Sequence, residues 1–109
     1  MLAKKFRLQV GKWVKDKTKK AVAKKSSFFI LKTSLNNLIF SRFGVVVGSK
    51  VAKSAVKRNQ LKRTVFDFIR LKKLYEIPGK DFLIIVLPPI TKLTKTEIKK
   101  ELKTVLYYE

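Results

Sequence analysis

From Val51 to Leu74 the chain contains neither glycine nor proline, and two short apolar runs bracket that segment, Arg42-Phe43-Gly44-Val45-Val46-Val47-Gly48 and Asp81 to Leu87. No other feature constrains the fold as much. Val51, Ala55, Val65, Phe66, Ile69 and Leu74 suit one long helix laid on a sheet. A strand, a helix and a second wholly apolar strand compose a βαβ unit, with helices placed against one face of the sheet. Ser49 stands where a helix N-cap would. The glycines of the first run mark a bulge or a close approach, and Pro78-Gly79 and Pro88-Pro89 close the segments before them.

Upstream, Val10, Trp13 and Val14 recur at helical spacing and Ala21-Val22-Ala23 form a short patch, which predicts a short helix and then an edge strand between Phe6 and about Lys25. Phe28-Phe29-Ile30-Leu31-Lys32-Thr33 reads as a strand. Phe28 and Ile30 face the opposite side from Phe29 and Leu31, so one pair is core, and the pattern does not say which. Asn36-Asn37 marks a turn. Downstream, Thr94 or Thr96 caps a final helix whose stripe is Leu93, Ile98, Leu102, Val105 and Leu106; Thr94 with Glu97 fits a capping box. The expected architecture is a single α/β domain over residues 1–109, α+β and sandwich-like in its layers. It has a small mixed sheet of about four strands in the order α-β-β-β-α-β-α.

Lysine and arginine total 27 against 7 acids in 109 residues, a net charge of +20. That much like charge on a small body repels itself. Hydrophobic residues at 46% against 31% charged make the chain too apolar for a disordered basic tail. A folded cationic domain calls for an anionic partner, and a polyphosphate lattice fits, because each cation that displaces condensed counterions adds affinity and salt dependence together.

Histidine and cysteine are absent, which removes the commonest general base, disulfides, zinc knuckles and thiol nucleophiles. Asp16, Asp67, Glu76, Asp81, Glu97, Glu101 and Glu109 are scattered, which disfavours a metal-dependent nuclease acting alone. No run approaches the roughly 18 to 20 apolar residues of a membrane-spanning helix, and no apolar signal core follows the basic N-terminus. The expected location is cytoplasmic, with no membrane partner. The amphipathic stretch Lys92 to Tyr107 is the best feature for a membrane-surface alternative.

Between Lys50 and Arg63 the chain reads Lys-Val-Ala-Lys-Ser-Ala-Val-Lys-Arg-Asn-Gln-Leu-Lys-Arg, without an acid. On a helix Arg58 stacks over Lys62 and Asn59 over Arg63, which makes one cationic face with an amide in it. Such a run is often only a solvated face, but solvated faces interleave acids, and this one does not. Arginine offers phosphate a planar fork, lysine a mobile charge, and Asn59 both a donor and an acceptor. Ala52 and Ala55 leave room for a nucleic-acid backbone to approach. RNA is the favoured partner.

Arg42-Phe43-Gly44, the valine strand, Lys50, Ala55, Arg58-Asn59 and Lys62-Arg63 together resemble the signature of the bacterial ribonuclease P protein component, in which an Arg-x-Gly strand leads through paired lysines into a long helix bearing Arg-Asn-x-x-Lys-Arg. The flanking order of elements agrees. Two features depart from the pattern: Ser49-Lys50 replaces the paired lysines, and the connection before the Phe-rich strand is short and lysine-dominated.

The resemblance implies the protein subunit of a ribonucleoprotein that removes the 5′ leader from precursor tRNA. Its partners would be the catalytic RNA and precursor tRNA, with the protein monomeric and present once per RNA. Arg58, Asn59, Lys62 and Arg63 would contact the catalytic RNA, with Lys50, Lys53 and Arg42 beside them. A cleft between the first helix and the sheet would hold the leader, lined by Trp13, Phe29 and Leu31; core packing is the competing role for Trp13 and Phe29. No catalytic residue, metal or cofactor is expected on the protein itself, and Mg2+ is expected in the catalytic RNA. The alternative is a ribosomal or other structured-RNA scaffold protein with no role in cleavage.

Overall fold

The structure is a computed structural model that describes residues 2–16 and 20–107. Lys17, Thr18 and Lys19 of the expected basic connection, and Glu109 among the acids, lie outside them. The elements in chain order are α1 (Val10–Lys15), β1 (Val22–Lys25), β2 (Phe29–Leu35), β3 (Arg42–Val46), α2 (Ala55–Leu71), β4 (Lys80–Val86) and α3 (Lys95–Tyr107), joined by 3-10 turns at Lys4–Phe6, Leu74–Glu76 and Pro88–Lys92. This is the α-β-β-β-α-β-α order anticipated above. The four-stranded sheet runs β1-β2-β4-β3. Its β1/β2 and β2/β4 pairs are antiparallel and β3/β4 is parallel, so β3, α2 and β4 form the βαβ unit.

The sheet is covered on both faces, which corrects the expectation that the helices share one. The main core lies on the α2–α3 side, where Phe29, Leu31, Phe43, Ile84, Ile69 and Leu102 are wholly buried and the Phe43 and Phe82 rings stack at 4.9 Å. On the other side a smaller cluster joins Leu8 and Trp13 to Leu83, with Val10, Val46 and Ile85 packed against it. Central β4 is therefore buried on both faces through Phe82, Leu83 and Ile84, the reason its sequence reads as an unbroken apolar run instead of an alternation.

Several boundaries differ from the pattern-based expectation. Ser54, not Ser49, caps α2, its hydroxyl accepting the Lys57 N–H at 3.3 Å. Residues 49–53 instead form a turn closed by the Val51 N–H on the Gly48 carbonyl at 3.1 Å. At the far end α2 stops at Leu71, because Lys73 adopts a left-handed conformation, φ 53°, that a continuing helix cannot accommodate. Between the two possible caps of α3, Thr94 forms the box: its N–H donates to Glu97 Oε1 at 2.9 Å, and the Glu97 N–H donates to Thr94 Oγ1 at 3.2 Å.

The N-terminal segment lies along the outer edge of β3. The Leu8 N–H donates to the Phe43 carbonyl at 2.8 Å, and Arg7 bridges Phe43 in a parallel sense, which shields an otherwise open strand edge. Gly44 permits this approach. A Cβ there would stand 2.8 Å from Val10 Cγ2, 3.2 Å from Leu8 Cβ and 3.3 Å from Leu83 Cδ1.

Candidate nucleic-acid interface

The acid-free run ends up divided between a turn and a helix. Lys50 and Lys53 are exposed on the turn before α2, Asn59 and Arg63 are exposed on the first half of α2, and Lys62 is half-buried beside them. Arg58 is turned differently. Its Nη1 donates to the Ala52 carbonyl at 2.9 Å and the Lys53 carbonyl at 2.8 Å, so it pins the turn that carries Lys50 and Lys53 and is not simply presented to solvent. In this role it positions other cations, which i, i+4 stacking on a longer helix does not anticipate.

Across from α2 lies the N-terminal segment. Lys4, Arg7 and Gln9 face Asn59 and Lys62 over a crevice of about 500 Å3 floored by Gly44, and among the described residues no carboxylate lines it. Sequence reasoning did not include Lys4, Arg7 or Gln9 in this site. Only the edge pairing of Leu8 with Phe43 brings them to α2, and the basic tract alone carries no sign of that pairing.

Arg42, expected among the RNA contacts, is occupied inside the fold. Its Nε and Nη2 both donate to the carboxylate of Asp81, which is 3% exposed and also accepts from Asn36 Nδ2 at 2.7 Å. The hydrogen bonds that Arg42 donates to Asp81 raise the guanidinium pKa above its ordinary value. Asn36 Oδ1 in turn accepts the Leu38 N–H at 2.9 Å, so the anticipated Asn36-Asn37 turn is anchored to β4 through the same carboxylate.

The proposed leader-cleft residues separate as well. Phe29 and Leu31 are wholly buried in the main core, which removes them from any cleft and answers which pair of that strand is core. Trp13 is 8% exposed; it packs over Leu83 in the smaller cluster, and its Nε1–H donates to Ser34 Oγ at 3.2 Å. It is a wall, not an open stacking platform. By register, Ile30, Lys32, Val46 and Ile85 share the face that α1 occupies, with Ala23 and Lys25 of β1 continuing it. The half-buried Ile30, Lys32, Val46 and Ile85 and the exposed Ala23 and Lys25 make a strip of aliphatic and lysine surface.

On the other flank of Trp13 a cleft of about 710 Å3 is lined by Lys4, Lys5, Arg7, Lys12 and the Arg42–Asp81 pair. Among the described residues, no three acidic, histidine or cysteine side chains converge on a point where a metal ion could sit. No helix among them is long and apolar enough to cross a membrane.

The family model described as Ribonuclease P matches residues 2–108 of the chain. The ribonuclease P protein component of Geobacillus thermodenitrificans is 33% identical over 107 residues, 96% of this chain and 87% of that one. The corresponding protein of Chromobacterium violaceum is 41% identical over 59 residues, 54% of this chain and 48% of its own length. Among solved structures, a mutant of the Staphylococcus aureus RNase P protein with defective mRNA degradation activity superposes with a TM-score of 0.82 at 25% identity, covering 96% of this chain and 88% of that one.

Proposed function

The chain belongs to the ribonuclease P protein family, and from that premise we propose that it grips the catalytic RNA and the 5′ leader of precursor tRNA on two separate surfaces. It is the protein component of ribonuclease P, a tRNA-processing endonuclease, and associates with the ribonuclease P RNA. The RNA surface is the acid-free crevice where Lys4 and Arg7 meet Asn59 and Lys62, flanked by Lys50, Lys53 and Arg63. That convergence is the observation that carries the reading, since phosphates there would neutralise like charges that otherwise repel across the gap.

The leader lies on the strip formed by Ile30, Lys32, Val46 and Ile85 beside Trp13. Aliphatic side chains and lysine stems contact an unpaired strand with little regard to base identity, and the ammonium groups hold its phosphates. Hydrolysis of the phosphodiester is RNA-catalysed, with Mg2+ ions held by the RNA. The carboxylates for which the structure gives a clear role are committed elsewhere, Asp81 to Arg42 and Asn36, and Glu97 to the cap of α3. The protein acts as a monomer, one copy per RNA, and contributes binding.

The test is cleavage of a precursor tRNA by a bacterial ribonuclease P RNA at low magnesium, with and without this protein. Stimulation that the Asn59→Ala, Lys62→Gln variant loses supports the assignment. Tight RNA binding without stimulation would instead make the protein a structured-RNA scaffold.

A further inference from the structure

A second cationic surface lies where the C-terminal end of α2 meets α3. Lys72, Lys99, Lys100 and Lys103 line a groove of about 450 Å3 over Phe68 and Leu71, and among the described residues no carboxylate takes part in its lining. Leu71 is 60% exposed. Lys95, Lys99 and Lys103 follow one another at four-residue spacing on α3, which sets cations about 6 Å apart along a single stripe. Of the nearby acids, Glu97 is held first by Thr94 in the capping box and is attracted to Lys100 besides.

The place of this groove in the fold gives it a role separate from that of the crevice. Lys62 and Leu71 are nine residues apart, roughly two and a half turns, so they project from opposite sides of α2 and stand about 14 Å apart along its axis. The molecule measures 36 × 27 × 24 Å, a body thin enough for two RNA segments to lie close together on its two sides.

We propose that the α2–α3 groove is a second RNA site, which takes the phosphate backbone of a duplex without reading its bases. The inference rests on the RNA-binding reading above, in that the same assembly would supply the duplex. Four lysines over a Phe68 ring that is 3% exposed, and so closed to stacking, suit phosphate and not unpaired bases. An acidic protein segment is the competing occupant, and the experiment separates the two.

Binding of the full chain to a short duplex RNA of arbitrary sequence is measured against salt, for the parent and for the Lys72→Gln, Lys99→Gln, Lys103→Gln variant. The expected plot of log K against log salt is shallower for the variant by about 0.9 for each lysine that met a phosphate, roughly 2 to 3 in all. In the complex with ribonuclease P RNA, acetylation of these same amines should be suppressed. An unchanged slope overturns the proposal. So does unchanged acetylation with RNA, or suppression by polyglutamate that duplex RNA cannot displace. Precursor-tRNA cleavage with the Asn59→Ala, Lys62→Gln variant reports separately on the crevice, so failure of the groove and failure of the subunit assignment are distinguishable.

Discussion

Arg42 holds Asp81 in a two-pronged ion pair, Nε on Oδ1 at 2.9 Å and Nη2 on Oδ2 at 2.8 Å, between residues that are partners in the parallel β3–β4 register. The first and third residues of Arg42-Phe43-Gly44 thereby serve the fold. Arg42 neutralises a buried carboxylate, and Gly44 admits the N-terminal segment that brings Lys4 and Arg7 to α2. The motif thereby shapes the crevice that the proposed function gives to RNA.

Replacing Arg42 with alanine leaves the Asp81 charge buried with Asn36 as its remaining side-chain partner. Removing one member of a buried pair costs about 3 to 5 kcal/mol. The Arg42 side chain is 36% exposed, so water screens part of the pair and the expected loss is about 2 kcal/mol. Urea unfolding measures it. RNA affinity of the folded variant should stay near that of the parent, and a large loss of affinity without loss of stability would return Arg42 to the RNA contacts.

Gly44→Ala forces a methyl against Val10, Leu8 and Leu83. Overpacking of this kind costs about 1 to 3 kcal/mol, and the segment with most freedom to yield is the N-terminal one. The fluorescence of Trp13, the chain's one tryptophan, should shift toward that of an exposed indole, and RNA affinity should fall although no contact residue has changed.

Arg58→Ala removes two charge-assisted bonds to the Ala52 and Lys53 carbonyls, with a loss of about 1 to 2 kcal/mol. The turn over residues 49–53 should loosen, seen as faster hydrogen exchange at the Val51 and Ala52 amides, both of which bond to the Gly48 carbonyl. Unchanged exchange alongside weakened RNA binding would make Arg58 a direct contact only.

The cap of α3 carries a pH dependence. The Thr94 backbone N–H first, and then its side chain, hold the Glu97 carboxyl below its ordinary value of 4.5. Its contribution to stability is complete above that value and disappears as pH falls through the lower folded value. Urea midpoints recorded across this range should fall less steeply for Glu97→Gln than for the parent. Parallel curves would show that the box adds nothing.

Lys25→Gln with Lys32→Gln should weaken binding of a leader-bearing precursor about tenfold, ~1.4 kcal/mol, while binding of mature tRNA without a leader stays unchanged. Equal losses for both would place these lysines on the tRNA body and off the leader.

The sequence by itself determined the elements and the partner. Periodicity, the βαβ order, the capping box at Thr94 and Glu97, and the acid-free run from Lys50 to Arg63 are all local patterns, and they led to an RNA-binding α/β domain; the resemblance of the Arg42 to Arg63 segment to a family signature led to ribonuclease P. What only the tertiary structure decided was direction. Phe29 and Ile30 are equally apolar and alternate across the sheet; which one is buried depends on α2 and α3 covering the face that Phe29 joins while the short α1 covers only part of the other. Arg42 and Arg58 look like RNA ligands in the chain. Asp81 lies 39 residues from Arg42 in sequence, and the Ala52 and Lys53 carbonyls became free to accept Arg58 only because α2 begins at Ala55. Lys4 and Arg7 join the site through a strand-edge pairing that no local pattern encodes. A charge pattern states that phosphate will bind; the packing around each cation decides which of them it reaches.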